Sequence, residues 1–146
     1  MLSEKIKELF RQKGYISLTE EEKQDYINAL IDLDIPLEST FADFNLATYG
    51  PTFSGRGNEL YNVCWFKIYS DDLEYSIESA HKVLKLPEAY IPLDSFEAEG
   101  GFFYNRKTGE VLELELGQKL IDFQNGKLQP QWEDFNSFLE WYFEIT

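Results

Sequence analysis

Ile91-Pro92-Leu93-Asp94-Ser95-Phe96-Glu97-Ala98-Glu99-Gly100-Gly101-Phe102-Phe103-Tyr104-Asn105-Arg106-Lys107-Thr108-Gly109-Glu110-Val111-Leu112-Glu113-Leu114-Glu115-Leu116 is the stretch whose reading decides the fold. Gly100-Gly101 and Thr108-Gly109 are expected to supply positive-φ positions, which other residues adopt only at a cost. Three aromatics lie between these breaks and an alternating apolar/acidic segment follows them. That pattern predicts two antiparallel strands joined by a short turn at 105–109. No catalytic motif falls within it. Its character is an apolar sheet approached by an acidic loop.

The chain has 146 residues, a length that suits one domain, 1–146, with a single core. Apolar residues at 43% and aromatics at 16% exclude disorder and predict a core rich in tyrosine and phenylalanine. Cys64 is the only thiol, which excludes an internal disulfide and a cysteine-based zinc site. Ser3, Glu4 and Lys5 follow Leu2 at once, so no signal-like leader is read, and no apolar run is long enough to span a bilayer. A cytoplasmic protein is the expectation.

Twenty-seven acids against thirteen bases give a formal net charge of -14. Such a field repels nucleic acid and anionic membranes and speeds encounter with basic partners, although acidity also serves plain solubility. The charge is uneven. Asp71, Asp72, Glu74, Glu78, Glu88, Asp94, Glu97 and Glu99 face only Lys82 and Lys85 between residues 71 and 99.

Working outward, Ser3 caps a first helix with Ile6, Leu9 and Phe10 on one face and Gly14 as its stop. Thr19-Glu20-Glu21-Glu22 reads as a capping box opening a second helix, with Tyr26, Ile27, Leu30 and Ile31 at core spacing. Pro36 ends it near Leu33. Leu37, Phe41 and Phe44 mark a third helix that Gly50-Pro51 closes. Thr52 to Asn58 is a flexible polar loop; it lacks the lysine and the strand-to-helix setting of a phosphate-binding loop.

Leu60 to Tyr69, apolar on both faces and rich in aromatics, is expected to be a central strand covered on both sides, with Cys64 a small core residue. A helix through Ile77, Ala80, Val83 and Leu84 stops before Pro87. His81, the only histidine, is assigned to its solvated face beside Glu78, Lys82 and Lys85. Leu120–Gln124 and Lys127–Gln129 flank Asn125-Gly126, a two-residue hairpin signal. Asp134 caps a last helix with Phe135, Phe138, Leu139, Tyr142 and Phe143 along one stripe. Helices, then strands with one helical interruption, then a helix, argue an α+β fold with a largely antiparallel sheet flanked by N-terminal helices and a C-terminal helix.

The carboxylates raise the possibility of a small acid hydrolase, with Glu97 and Glu99 close in sequence and Glu113 and Glu115 on one strand face. Glu113 and Glu115 alternate with Leu112, Leu114 and Leu116, the pattern of a solvent-facing strand. One histidine cannot supply a nucleophilic triad with any evident partner, and no metal or nucleotide motif is present. No enzyme, cofactor or metal site is expected.

Three segments in order resemble the SUKH superfamily, which includes fungal cell-wall-synthesis regulators and bacterial immunity proteins. Leu33-Asp34-Ile35-Pro36-Leu37-Glu38, leading through Phe41-Ala42-Asp43-Phe44 to Tyr49-Gly50, is similar to that family's leucine-proline helix and glycine turn. Ile91-Pro92-Leu93 through Gly100-Gly101-Phe102-Phe103-Tyr104 to Thr108-Gly109-Glu110-Val111 resembles its hairpin. Asp134-Phe135-Asn136-Ser137-Phe138-Leu139 resembles its closing helix. Asn105-Arg106 stands where an acid is common in the family, and residues 1–32 would be an N-terminal helical addition. The resemblance implies an immunity protein that binds and neutralises a cognate toxin domain, in this family often a nuclease, without catalysis. A regulatory or scaffold protein of the same fold is the alternative. A basic toxin fits the acidic charge. The acids expected at the partner surface are Asp71, Asp72 and Glu74 on one connection and Asp94, Glu97 and Glu99 on another.

Overall fold

The computed structural model describes residues 1–96 and 99–145. Its elements are α1 (Glu4–Lys13), α2 (Glu20–Asp32), α3 (Thr40–Leu46), β1 (Thr52–Phe53), β2 (Leu60–Tyr61), α4 (Val63–Tyr69), α5 (Asp72–Lys82), β3 (Tyr90–Pro92), β4 (Gly100–Asn105), β5 (Val111–Glu115), α6 (Gln118–Gln124) and α7 (Phe135–Tyr142). The fold is α+β, with a three-stranded antiparallel sheet ordered β3-β4-β5 and a short β1-β2 pair.

The hairpin holds the centre. Phe102 pairs with Glu113, Phe103 with Leu112 and Tyr104 with Val111. Side chains alternate across a strand, so this register sends Phe102, Tyr104 and Val111 to one face and Phe103, Leu112 and Leu114 to the other. The first face joins the main core, where Phe102 packs edge-on against Trp132, Phe138 and Trp141. The second is covered by Ala80, Leu84 and Leu86 and by Leu120, Phe123 and Leu128. At one end of the turn Gly109 adopts φ 82°, as expected. Gly100 and Gly101 do not have positive φ. Gly101 is needed for room instead: a Cβ there would collide with Asp94 Oδ1.

Two predicted strands are helices. Leu60–Tyr69 gives only β2 before turning into α4 at Asn62, whose side chain accepts the Cys64 and Trp65 amides at 3.1 and 3.2 Å. Asn62 is buried and donates to the carbonyls of Asn45 and Thr48, so a polar residue inside an apolar run both starts the helix and ties it to α3. The segment before Asn125-Gly126 is likewise α6 rather than a hairpin arm. Leu120 and Phe123, three apart, pack on the sheet's second face, and Gly126, at φ 74°, ends the helix.

The loop after β1 is not loose. Gly55 lies against the Tyr142 ring and carbonyl with no space for a side chain, and the Arg56 amide donates to Tyr142 O at 3.0 Å. The caps at Ser3, Thr19 and Asp134 form as read, and the α7 stripe is buried throughout. Ile31 and Val83, assigned to core faces, are 54% and 70% exposed.

Residues 1–32 pack into the main core. Leu2, Ile6, Phe10, Tyr26 and Leu30 belong to the same core cluster as Phe102, Phe138 and Tyr142. The start of α1 is clasped to α7, with the Ser3 amide donating to Asn136 Oδ1 at 3.0 Å and Asn136 Nδ2 donating to Met1 O at 2.9 Å. The β4–β5 turn is latched to the end of α2 by Arg106, whose guanidinium donates to the carbonyls of Leu33, Ala89 and Glu88.

Candidate functional site

The acids predicted to face a partner do not share one surface. Asp71 and Glu74 lie together on the outer face of the first turns of α5, where they line a cleft of about 370 Å³ with Tyr75 and Glu78. The amphipathic spacing explains this grouping. Leu73, Ile77 and Ala80 turn inward, which leaves 71, 74, 75 and 78 adjacent on the opposite side. Tyr75 is 71% exposed. Tyrosine and Glu78 were not singled out from the sequence. The signal was there, in an aromatic four residues after one acid and three before another.

Two of these carboxylates are already paired. Glu74 meets Lys67 Nζ at 2.6 Å, a hydrogen bond that holds the lysine ammonium above its ordinary pKa. Glu78 meets Lys82 at 2.9 Å, and that hydrogen bond holds its carboxyl below the ordinary carboxylate value. Asp71 and Asp72 form no ion pair with a described residue. Asp72 faces away from Asp71 and lines a second cleft with Glu59, Tyr61 and Phe66.

Asp94 is misassigned by the sequence reading. It is 1% exposed, and its carboxylate accepts the amides of Phe96 at 3.0 Å and Phe102 at 3.3 Å. A carboxylate so enclosed fastens the β3 exit to β4 and cannot meet a partner from outside. Glu97 lies outside the described residues. Glu99 is exposed just before β4, in a left-handed conformation at φ 61°, with its carbonyl accepting the Leu116 amide at 2.9 Å.

The residues with potential chemistry are engaged in structure. Cys64 is fully buried with Sγ 3.4 Å from the Tyr26 carbonyl, and burial pushes its thiol well above the ordinary value. His81 is half-buried rather than solvated, with Nε2 2.8 Å from the Tyr90 carbonyl, which fixes Nε2 as the protonated nitrogen. Glu113 and Glu115 share Lys119 at 3.5 and 3.8 Å on the open side of β5. Among the described residues no group of three or more His, Cys, Asp or Glu is arranged to hold a metal ion. No helix among them is long and apolar enough to cross a membrane.

Compared with protein-family models, curated proteins and solved structures, the chain matches none of them.

Proposed function

We propose that this protein is a SUKH-like immunity protein that binds a basic toxin domain and neutralises it without catalysis. The observation that carries the reading is the outer face of α5, where an exposed tyrosine sits among Asp71, Glu74 and Glu78. Protein-binding patches place an aromatic anchor at the centre and polar groups at the rim. Tyrosine suits the anchor because its large, rigid ring loses little conformational entropy on binding. The net charge of -14 steers a basic domain toward the molecule from a distance. A nuclease must present a basic surface to its substrate phosphates, so an acidic ligand placed there would exclude them.

The test is co-expression with the toxin domains encoded beside its gene. Growth should be restored against one of them, and the purified pair should associate more slowly as salt rises. Asp71→Lys with Glu78→Lys should slow association at low salt, and Tyr75→Ala should raise the dissociation rate, costing about 1–2 kcal/mol as interface aromatics do. Failure to restore growth against every neighbouring toxin, with no binding in solution, sinks the reading.

A further inference from the structure

On the neighbouring face of the first turn of α5, the second cleft is built differently from the Tyr75 surface. It encloses about 440 Å³ between the loop after β1, the β2–α4 junction and Asp72. Half-buried Phe66 forms an aromatic wall backed by the buried Tyr61 ring, with ring centroids 4.2 Å apart and planes inclined at 39°. Glu59 and Asp72 supply two carboxylates. Glu59 is held in place, with Oε2 accepting the hydroxyls of Thr52 at 2.7 Å and Ser54 at 3.4 Å.

The cations nearest in sequence are committed elsewhere. Arg56 lies over the Trp141 ring at 5.0 Å and pairs with Glu144 at 3.6 Å, while Lys67 is bound to Glu74. Neither Glu59 nor Asp72 forms an ion pair with a described residue. A cleft with an aromatic wall and two carboxylates facing no internal cation matches one kind of side chain. A guanidinium stacks its plane on a ring and directs paired N–H groups at a carboxylate, which an ammonium cannot do in the same geometry.

We propose that this cleft is a receptor for an arginine side chain, presented by the partner protein. That a partner presents it rests on the function proposed above; the recognition itself does not. The full-length protein, isotopically labelled, is titrated with Nα-acetyl-arginine methylamide and with the citrulline equivalent, which keeps the shape and loses the charge. Arginine should shift the amide resonances of Glu59, Tyr61, Phe66 and Asp72 to saturation, and citrulline should leave them in place. Each of Glu59→Gln and Asp72→Asn should weaken binding about fivefold, the upper range for a solvent-accessible ion pair. Glu59→Gln retains the oxygen that accepts from Thr52 and Ser54, so it tests charge rather than folding. Phe66→Leu should weaken binding about threefold through loss of stacking.

Equal shifts from citrulline, shifts as large at Glu20–Glu22 as in the cleft, or undiminished affinity in the double variant would each overturn the proposal. No toxin enters this assay. Absence of arginine binding therefore removes the cleft while leaving the α5 reading intact. Arginine binding with no toxin neutralised does the reverse.

Discussion

Replacing Gly101 by alanine tests how the hairpin is fastened. The added methyl would collide with Asp94 Oδ1, in a strand position where backbone conformation alone does not demand glycine. The Asp94 carboxylate accepts two backbone amides, and a hydrogen bond to a charged group contributes about 1.5–3 kcal/mol. Oδ1 is the oxygen that holds the Phe96 amide, and pushing it off should cost about 2 kcal/mol on that scale. Loss of glycine's freedom in the unfolded chain returns about 0.5 kcal/mol. Gly101→Ala should therefore destabilise by about 1.5 kcal/mol by these two contributions. Asp94→Ala loses both amide bonds but also removes the cost of burying a charge, which leaves about 2 kcal/mol. In that background the methyl at 101 no longer meets the carboxylate, and its own cost should vanish. Glycine's unfolded-state freedom still returns about 0.5 kcal/mol, so the double variant should lie about 1.5 kcal/mol below the parent, where independent effects would give about 3.5 kcal/mol. Urea unfolding of the four proteins, compared at constant slope, measures this coupling. A double-variant loss equal to the sum of the single losses would refute the steric account of Gly101.

Two further outcomes follow from buried polar groups. Asn62→Ala removes the α4 cap and leaves the Asn45 and Thr48 carbonyls without its amide, a loss of about 3 kcal/mol; thermal unfolding should fall by about 10 °C, and a shift within a degree or two would show that α4 does not depend on the cap. Tyr15, Tyr26, Tyr90, Tyr104 and Tyr142 all have phenols raised above 10.0, chiefly by burial. Their raised folded values favour the neutral phenol, so this stabilisation is fully present below pH 10 and is lost as pH rises through those values. Phenolate absorbance from these rings should therefore appear together with loss of circular dichroism. Ionisation of these five rings near pH 10 in a protein that keeps its native spectrum would contradict the burial account.

Local signals were legible where one mechanism dominated. The caps at Ser3, Thr19 and Asp134 depend on a hydroxyl or carboxylate reaching amides within a few residues, and all three form. The hairpin register follows from strict alternation about a Gly109 turn. Leu60–Tyr69 misled because the open side of α4 carries Ile68 and Tyr69 rather than a polar face that would set the helical period, and aromatic content then mimics a strand. Its decisive residue was Asn62, whose capping role competes with a continuing strand. Asn125-Gly126 misled because a left-handed glycine closes a helix as readily as it turns a hairpin. Asp94 was mistaken for a surface acid because what encloses it, two backbone amides and the space left by Gly101 seven residues away, carries no side-chain signal. The α5 face was half legible: Asp71 and Glu74 were expected, and the tyrosine beside them was not.

The clasp between Met1, Ser3 and Asn136 bears on how the chain is made. Synthesis proceeds from the amino end, so Ile6 and Phe10 leave the ribosome long before the residues of α7 that help to cover them. Contacts separated by more than a hundred residues form late and slow the search for the native state. Until Phe138 and Tyr142 emerge, a nascent α1 carries an apolar stripe with no place to dock, a natural target for holdase chaperones. α1, made before the other helices described, is thus among the last to be locked.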